Sequence, residues 1–227
     1  MKQTQDGTAK QSERGTADLV RVLEADILFG KLKPRERLLE DEIIARYGGK
    51  RYMVRQALAE LEKLGIVTRA PNRGAAVRDF SAREVEEICE IREVLQARAA
   101  ARMPLPAAPD LIPTLTALQM QHDAAVRERD PNAIDRVNES FHRSFFEACG
   151  NRRLADAVAH YAYLSRAMRL YPLTDPVLLE QLRSEHWAMI RALEADDRDT
   201  LVRLVVEHIQ HSKQLYLAVR AASGGAE

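Results

Sequence analysis

Three of the six histidines lie in segments that read as helices with apolar neighbours. His142 is in NESFHRSFFEACGN, His186 in SEHWAMIRALEADD and His208 in VVEHIQHSK. Neutral imidazole is a ligand for zinc, nickel and other borderline transition metals. Three such helices that meet in a bundle would therefore form a metal site. A buried histidine is more often a hydrogen-bonded core residue, and the spacing leaves both interpretations open.

The other histidines are weaker candidates for metal ligands. His211 lies one helical turn after His208 and is the nearest alternative to it, whereas His122 and His160 are expected at the surface. The two cysteines, Cys89 and Cys149, lie far apart in helix-like contexts, which is typical of buried thiols in a reducing cytoplasm.

A second cluster of chemically capable residues is the stretch GGKRYMVRQAL at 48–58, where two glycines precede Lys50, Arg51 and, one turn later, Arg55. A glycine turn before a helix suits phosphate binding, a helix cap or contact with DNA. A nucleotide-binding loop is excluded, since no strand precedes the turn and the glycine spacing does not fit. Arginine can hold guanine O6 and N7 with two hydrogen bonds or clamp a phosphate.

The elements around this stretch predict a small DNA-binding domain. Apolar spacing predicts helices over 13–29, 40–47 and 51–64, followed by strands at 66–70 and 75–79 around a turn with a basic tip at Arg73 and Gly74. In the third helix, Val54, Ala57, Leu58 and Leu61 form a core stripe. Three helices and a hairpin are the layout of a winged helix-turn-helix, whose second motif helix enters the major groove. Tyr52 joins the arginines on the face away from the core.

After residue 79 the pattern is helical throughout. Helices are predicted near 81–102, 109–129, 131–149, 151–170, 176–195 and 197–220, with a capping box at Ser81 and Glu84. Short links between long helices predict an antiparallel all-helical bundle. The chain therefore reads as mainly α, with a flexible arm at 1–12, a winged helix-turn-helix at 13–79, a bundle at 80–221 and a flexible tail at 222–227.

Composition restricts the class of protein. The chain has 227 residues, of which 46% are hydrophobic and 30% charged, and no apolar run reaches the ~18 residues that a membrane span requires. Residues 1–80 hold 16 basic and 12 acidic side chains, and the remainder is acidic by the same margin. A basic first part favours nucleic acid as a partner. A cytoplasmic location with no membrane contact is expected.

The first part resembles the winged-helix domain of the GntR family of bacterial transcription regulators. The family's pattern G-x-L-x-P, V-R-x-A-L, L-x-x-x-G-L-V and R-G-x-x-V matches at 30–34, 54–58, 61–67 and 73–77. The resemblance implies DNA contact by Arg51, Arg55, Arg73 and Gly74. Arg35 stands where glycine is usual. GGKRYM stands where the family commonly has GVSRTP: Gly49 replaces an apolar residue, Lys50 the serine cap and Met53 the proline. Without the serine cap and the proline, the start of the helix is expected to be looser.

The second part resembles the FCD effector domain of the FadR-like branch of that family. The marks are F-H-x-x-(apolar)-x-E-A-x-G-N, an E-H-x-x-(apolar) helix and a last helix with E-H-I. The resemblance implies a metal, zinc or nickel, held by Asn138, His142, His186 and His208, and a small carboxylate effector bound by Arg92. The family has aspartate or asparagine as first ligand, and Asn138 is the neutral and weaker of the two. Gln96 stands where the family usually has a glutamate after the arginine.

The resulting interpretation is a homodimeric repressor that binds a double-stranded DNA operator and responds to a small organic acid. It is not an enzyme in this interpretation. The alternatives are a metal-dependent enzyme that uses the three histidines and a sensor for which the metal itself is the effector. No HExxH-type base accompanies the histidines, and a metalloenzyme would leave the winged helix unexplained.

Overall fold

The computed structural model describes residues 15–28, 30–70, 74–169 and 176–222. The chain divides into two compact units at Arg78 and Asp79. The arm predicted for 1–12 and Arg73 at the tip of the hairpin lie outside the described residues. Of the tail predicted for 222–227, Ala222 is the last residue of a helix, and 223–227 lie outside the described residues. The described helices are too short or too polar to cross a membrane.

The first unit is a winged helix-turn-helix. Its elements in chain order are α1 (Thr16–Leu28), β1 (Arg37–Leu38), α2 (Glu40–Tyr47), α3 (Arg51–Lys63), β2 (Val67–Ala70) and β3 (Gly74–Val77). The predicted core stripe of α3 is confirmed, since Val54, Ala57, Leu58 and Leu61 are all buried. They pack with Leu19 and Leu23 of α1 in one apolar cluster.

The small sheet has the antiparallel order β2, β3, β1. The strands β2 and β3 match the two predicted strands. The strand β1 was not predicted, because two residues carry no period. It forms because Leu38 is buried and pairs with Ala75. Because β1 pairs with β3, the segment before α2 is hydrogen-bonded to the wing.

The second unit is an all-helical bundle, as predicted. Its helices are α4 (Ala82–Arg102), α5 (Leu111–Glu128), α6 (Pro131–Glu147), α7 (Arg152–Leu164), α8 (Arg166–Arg169), α9 (Pro176–Glu194) and α10 (Arg198–Ala222). The predicted capping box is confirmed: Ser81 Oγ accepts from the Glu84 amide, and Glu84 Oε2 accepts from the Ser81 amide. Phe141, Phe145 and Met189 are among the residues of its main apolar cluster.

One long predicted helix is wrong. The helix expected over 151–170 is interrupted at Ser165, where α7 ends and α8 begins. The Ser165 hydroxyl lies 3.0 Å from the Tyr161 carbonyl oxygen and donates to it, and the Ser165 amide donates to the same oxygen at 3.2 Å. The next residue, Arg166, is held by an ion pair with Asp135 of α6.

Candidate functional site

The outer face of α3 carries the side chains predicted to contact DNA. Lys50, Arg51, Tyr52 and Arg55 are exposed there, with 56% of Tyr52 accessible. These side chains lie opposite the fully buried apolar stripe. The exposed aromatic ring and the cations therefore have no packing role in the core of their unit. Gly74, the first residue of β3, is also exposed. The structure thus presents the predicted α3 residues on one face.

Two carboxylates of α2 contact the arginines of α3. Glu40 Oε1 lies 2.9 Å from Arg55 Nε, and Glu40 Oε2 lies 3.3 Å from Arg51 Nη1. Asp41 also pairs with Arg51. The hydrogen bond from Arg55 is the largest influence that lowers the pKa of Glu40. These contacts could not be predicted from the sequence, because they join residues 10 to 15 positions apart across a turn.

The turn before α3 explains its two glycines. Gly48 and Gly49 both have positive φ, of +78° and +96°, which glycine adopts at little steric cost. The family's usual apolar residue would be strained at position 49. Lys50 occupies the N-cap position in an extended conformation, and its side chain makes no capping hydrogen bond. Helix α3 therefore begins without the cap that the family's serine supplies.

A cavity of about 330 Å³ lies in the helical unit. Helices α4 to α10 all contribute to its walls. The residues around it that sequence reasoning singled out are Arg92, Gln96, His122, Asn138, His142, His186 and His208. All predicted metal ligands and the predicted effector arginine therefore line one cavity.

The three predicted histidine ligands meet in this cavity. His142 of α6, His186 of α9 and His208 of α10 each offer a ring nitrogen, and these atoms all lie within 4.8 Å of one another. His186 Nε2 and His208 Nε2 lie 3.3 Å apart. Asn138 lies on α6 one turn before His142 and lines the same cavity. The sequence could not establish that the three helices converge.

Outer contacts orient two of the rings. His186 Nδ1 lies 2.9 Å from Gln119 Oε1, and His208 Nδ1 lies 2.8 Å from Glu185 Oε2. Both oxygens are acceptors, so each Nδ1 carries a proton and donates it. In the neutral ring the opposite nitrogen then has an exposed lone pair. Two Nε2 lone pairs therefore face each other.

Burial keeps these rings neutral. It is the largest cause that lowers the pKa of His186 well below the ordinary value, and it also lowers the pKa of His208 despite the neighbouring Glu185. A shared N–H···N bond would require one ring to be charged. The arrangement instead suits a cation between the two nitrogens.

The donor set fits a transition-metal ion. Nitrogens that bind one ion with bonds of about 2.0–2.1 Å at tetrahedral angles lie about 3.3 Å apart. The two Nε2 atoms have this separation. A metal-bound histidine that donates its other N–H to a carboxylate or amide oxygen is the usual arrangement of a metal site. Glu185 and Gln119 supply such acceptors here, and neither was predicted from the sequence.

His122 was wrongly expected at the surface. It is only 3% exposed and lines the cavity, and its ring packs edge-on to His186. Its helix α5 packs against both α6 and α9, so that residues on its polar side are buried as well. Burial lowers the pKa of His122 to about 4. His160, in contrast, is exposed as expected.

Charged residues surround the histidines. Arg92 is 5% exposed on α4, and Gln96, also buried, follows one turn later. The pair formed by Asp135 and Arg166 lies at another part of the wall. A buried guanidinium near a metal site is suited to bind a carboxylate in bidentate fashion. Arg92 is therefore the residue of this wall that could hold a small organic acid. Cys89 and Cys149 are buried and unpaired thiols, as predicted.

Comparisons with known proteins agree for both units. The model of the gntR family of bacterial regulatory proteins matches residues 16–77, and the model of the FCD domain matches residues 87–211. The transcriptional regulator YdhC of Bacillus subtilis (strain 168) is 25% identical over 187 residues, which are 82% of this chain and 83% of that protein.

Two further similarities concern Escherichia coli proteins. The transcriptional repressor RspR of strain K12 is 21% identical over 207 residues, 89% of each chain. The structure of McbR/YncC has a TM-score of 0.70 at 21% identity, and the match covers 89% of this chain and 97% of that one. At this identity the structural match supports the fold alone.

Proposed function

The chain belongs to the GntR family of bacterial transcription regulators and carries an FCD domain. We propose that it is a homodimeric repressor controlled by a small organic acid, which binds through a metal ion. DNA-binding transcriptional regulation is the function of the family, and the relatives are regulators rather than enzymes. The repressor function is supported by the name of one relative, the RspR repressor.

The operator-binding surface in this proposal is the outer face of α3. Arg51 and Arg55 read base edges, Lys50 and Tyr52 contact the adjacent backbone and bases, and the wing contributes Gly74 and Arg73. The exposed aromatic and basic face opposite the buried stripe supports this assignment. Two copies related by a two-fold axis would read the two halves of a pseudo-palindromic site.

The operator assignment is tested by selection from a random duplex library with the purified full-length chain. The expected product is a pseudo-palindromic sequence in which the bound protein protects two half-sites. Sedimentation should give two chains per duplex. Selection of no sequence above background would contradict specific DNA binding. Binding of a single chain to an asymmetric site would contradict the dimer.

The effector site in this proposal is the cavity of the helical unit. Asn138, His142, His186 and His208 hold zinc or nickel, and Arg92 binds the effector's carboxylate. The single observation that carries the metal assignment is the pair of Nε2 lone pairs 3.3 Å apart. When bound, the metal supplies a Lewis acid for a second oxygen of the organic acid. The chain's residues hold the histidines neutral, orient them and neutralise the carboxylate.

Trp187, the single tryptophan, offers a direct readout of this site. It follows His186, and its Nε1 donates to Asp123 at 3.1 Å. Zinc added to metal-free protein should change its fluorescence and saturate at one ion per chain. A His186→Ala, His208→Ala double variant should show neither effect. Equal zinc binding by this variant would contradict the site.

A metal sensor is the second candidate. The convergence of three histidine nitrogens in one cavity favours it, because this site requires no organic acid for its formation. The two functions differ in one measurement, the operator affinity with zinc alone. A change with zinc alone supports the sensor, whereas a change that requires both zinc and a carboxylate supports the organic-acid response.

A further inference from the structure

A chain of hydrogen bonds leads from Arg183 to His186 through two side chains of α5. Arg183 Nη1 lies 3.0 Å from Asp123 Oδ2, and Gln119 Nε2 lies 2.9 Å from Asp123 Oδ1. Gln119 Oε1 then accepts from His186 Nδ1 at 2.9 Å. Gln119 and His186 are fully buried, at 0% and 1% exposed, so solvent cannot replace either partner.

The orientation of the Gln119 amide decides the position of the proton on His186. The oxygen and nitrogen of an amide have nearly the same shape, and only its partners determine which end faces which side. If the amide were reversed, its NH₂ would face His186 Nδ1. That nitrogen would then have to accept, and the ring proton would move to Nε2.

Asp123 is the partner that excludes the reversed amide. A carboxylate only accepts, so the Gln119 end that faces it must be the NH₂ group. The second carboxylate oxygen accepts from Trp187 Nε1 and from Arg183. These two donors occupy Oδ2 and leave Oδ1 for Gln119.

We propose that Asp123 is a positioning residue that, through Gln119, keeps the proton of His186 on Nδ1 and so presents an unprotonated Nε2 to the cavity. Asp123 is linked to His186 through Gln119, and it acts through the amide that it orients. The effect on metal affinity rests on the proposed metal site. The effect on the position of the ring proton does not, since it exists in the metal-free protein.

The residue spacing supports a dedicated role rather than chance packing. Gln119 and Asp123 are four residues apart on α5, so both side chains lie on the face that packs against α9. His186 and Trp187, which donate to Gln119 and to Asp123 respectively, are consecutive on α9. Arg183 lies one turn earlier on the same helix. One helix thus supplies the ring, and its neighbour supplies the pair that orients it.

The variant Asp123→Asn tests this proposal with almost no change of shape. The donors Trp187 and Arg183 will hold the oxygen of the new amide, which turns its NH₂ toward Gln119. Gln119 must then reverse and offer NH₂ to His186 Nδ1. The expected result is a switch of the His186 proton from Nδ1 to Nε2, and a zinc dissociation constant raised about 10- to 100-fold.

The proton position is measured by two-bond ¹H–¹⁵N correlation spectra of the histidine rings in metal-free, full-length protein. The His186 signals are assigned by their loss in a His186→Gln variant. The matched control is Glu180→Gln, which removes the other carboxylate on Arg183, with contacts at 2.5 and 2.7 Å, and leaves Gln119 unchanged. The control should keep both the Nδ1–H pattern and the zinc affinity of the wild type.

Each outcome has a defined meaning. An Nε2–H pattern for His186 in the wild type overturns the proposal without any variant, even if Asp123→Asn does not fold. An unchanged Nδ1–H pattern in a folded Asp123→Asn variant also overturns it. If the proton switches as expected but the wild type binds no zinc, the metal function fails and the role of Asp123 stands.

Discussion

Arg51 and Arg55 are the residues on which the proposed DNA contact depends most. Each Arg→Ala substitution should weaken operator binding about 10- to 100-fold, because a lost base-edge or phosphate pair costs about 1–3 kcal/mol. The matched control is Lys63→Ala, an exposed cation in the last turn of the same helix. Gel-shift titration measures the affinity, and full affinity in both arginine variants would refute the assignment.

Glu40 should tune the preference for the operator over other DNA. Among the contacts of the described residues, Glu40 accepts a hydrogen bond from Nε of Arg55. The terminal NH₂ groups of Arg55 then remain available for a guanine. Glu40→Gln should strengthen binding to random DNA, since a negative charge is lost. It should also lower the ratio of operator to random affinity about five-fold, because the arginines lose their orientation.

The control for Glu40 is Glu42→Gln, an exposed carboxylate in the same first turn of α2. It makes the same charge change and should strengthen both kinds of binding equally. Fluorescence anisotropy with both duplexes gives the ratio. The same ratio in the two variants would show that Glu40 acts by charge alone.

Residue types were predictable where one helix face carries the signal, and their partners were not. The core stripe and the outer cations of α3 follow from a period of 3.6 residues. The partners Glu40, Gln119 and Glu185 come from other helices, and a sequence pattern does not specify which helix faces meet. The burial of His122 was missed for the same reason. The spacing of four residues between Gln119 and Asp123 was a local signal that these two side chains could contact each other.

At the scale of elements, the uncapped start of α3 is the departure with a measurable cost. Lys50→Ser should stabilise the first unit by about 1 kcal/mol, because Lys50 already has the extended N-cap conformation. The same change removes a cation from the proposed DNA face. Operator affinity should fall, and the salt dependence should lose about one counterion.

The control is Lys50→Ala, which removes the cation but adds no cap. It should match the serine variant in salt dependence and not in stability. Urea unfolding and binding at several salt concentrations measure the two quantities. Equal stability of both variants would contradict the uncapped start of α3.

Helix and strand assignments could be predicted where the pattern is long. The helices of the second unit follow from their apolar spacing and the breaks between them. The strand β1 and the break at Ser165 could not be predicted. Two residues carry no period, and no proline or glycine marks the break within YAYLSRAMRL. Arg35 has a φ of +68°, which gives a physical reason for the family's glycine at that position.

At the scale of the whole molecule, neutral buried histidines should make the metal-free chain sensitive to acid. Burial lowers the pKa of His122 to about 4, and it lowers the pKa values of His186 and His208. The unfolded chain, with a pKa near 6.5, binds protons first as the pH falls. The stability that these neutral rings contribute is therefore complete above about pH 6.5 and is lost progressively as the pH falls below it.

For His122 alone, the expected loss in the free energy of unfolding between pH 8 and pH 5 is about 2 kcal/mol. Urea unfolding after chelation measures it. His122→Gln should reduce the loss, whereas His160→Gln, at an exposed position, should not. An equal free energy of unfolding at pH 8 and pH 5 would contradict the neutral cluster.

In the proposed function the cavity controls DNA binding, and the operator dissociation constant measures that control. It is measured by anisotropy on metal-free protein, then with zinc, then with zinc and the carboxylate that most raises the unfolding temperature in a screen. We expect zinc with the carboxylate to change the constant at least five-fold in the wild type. We expect no change in the His186→Ala, His208→Ala variant. The same constant in all three conditions, or the same response in the variant, would contradict it.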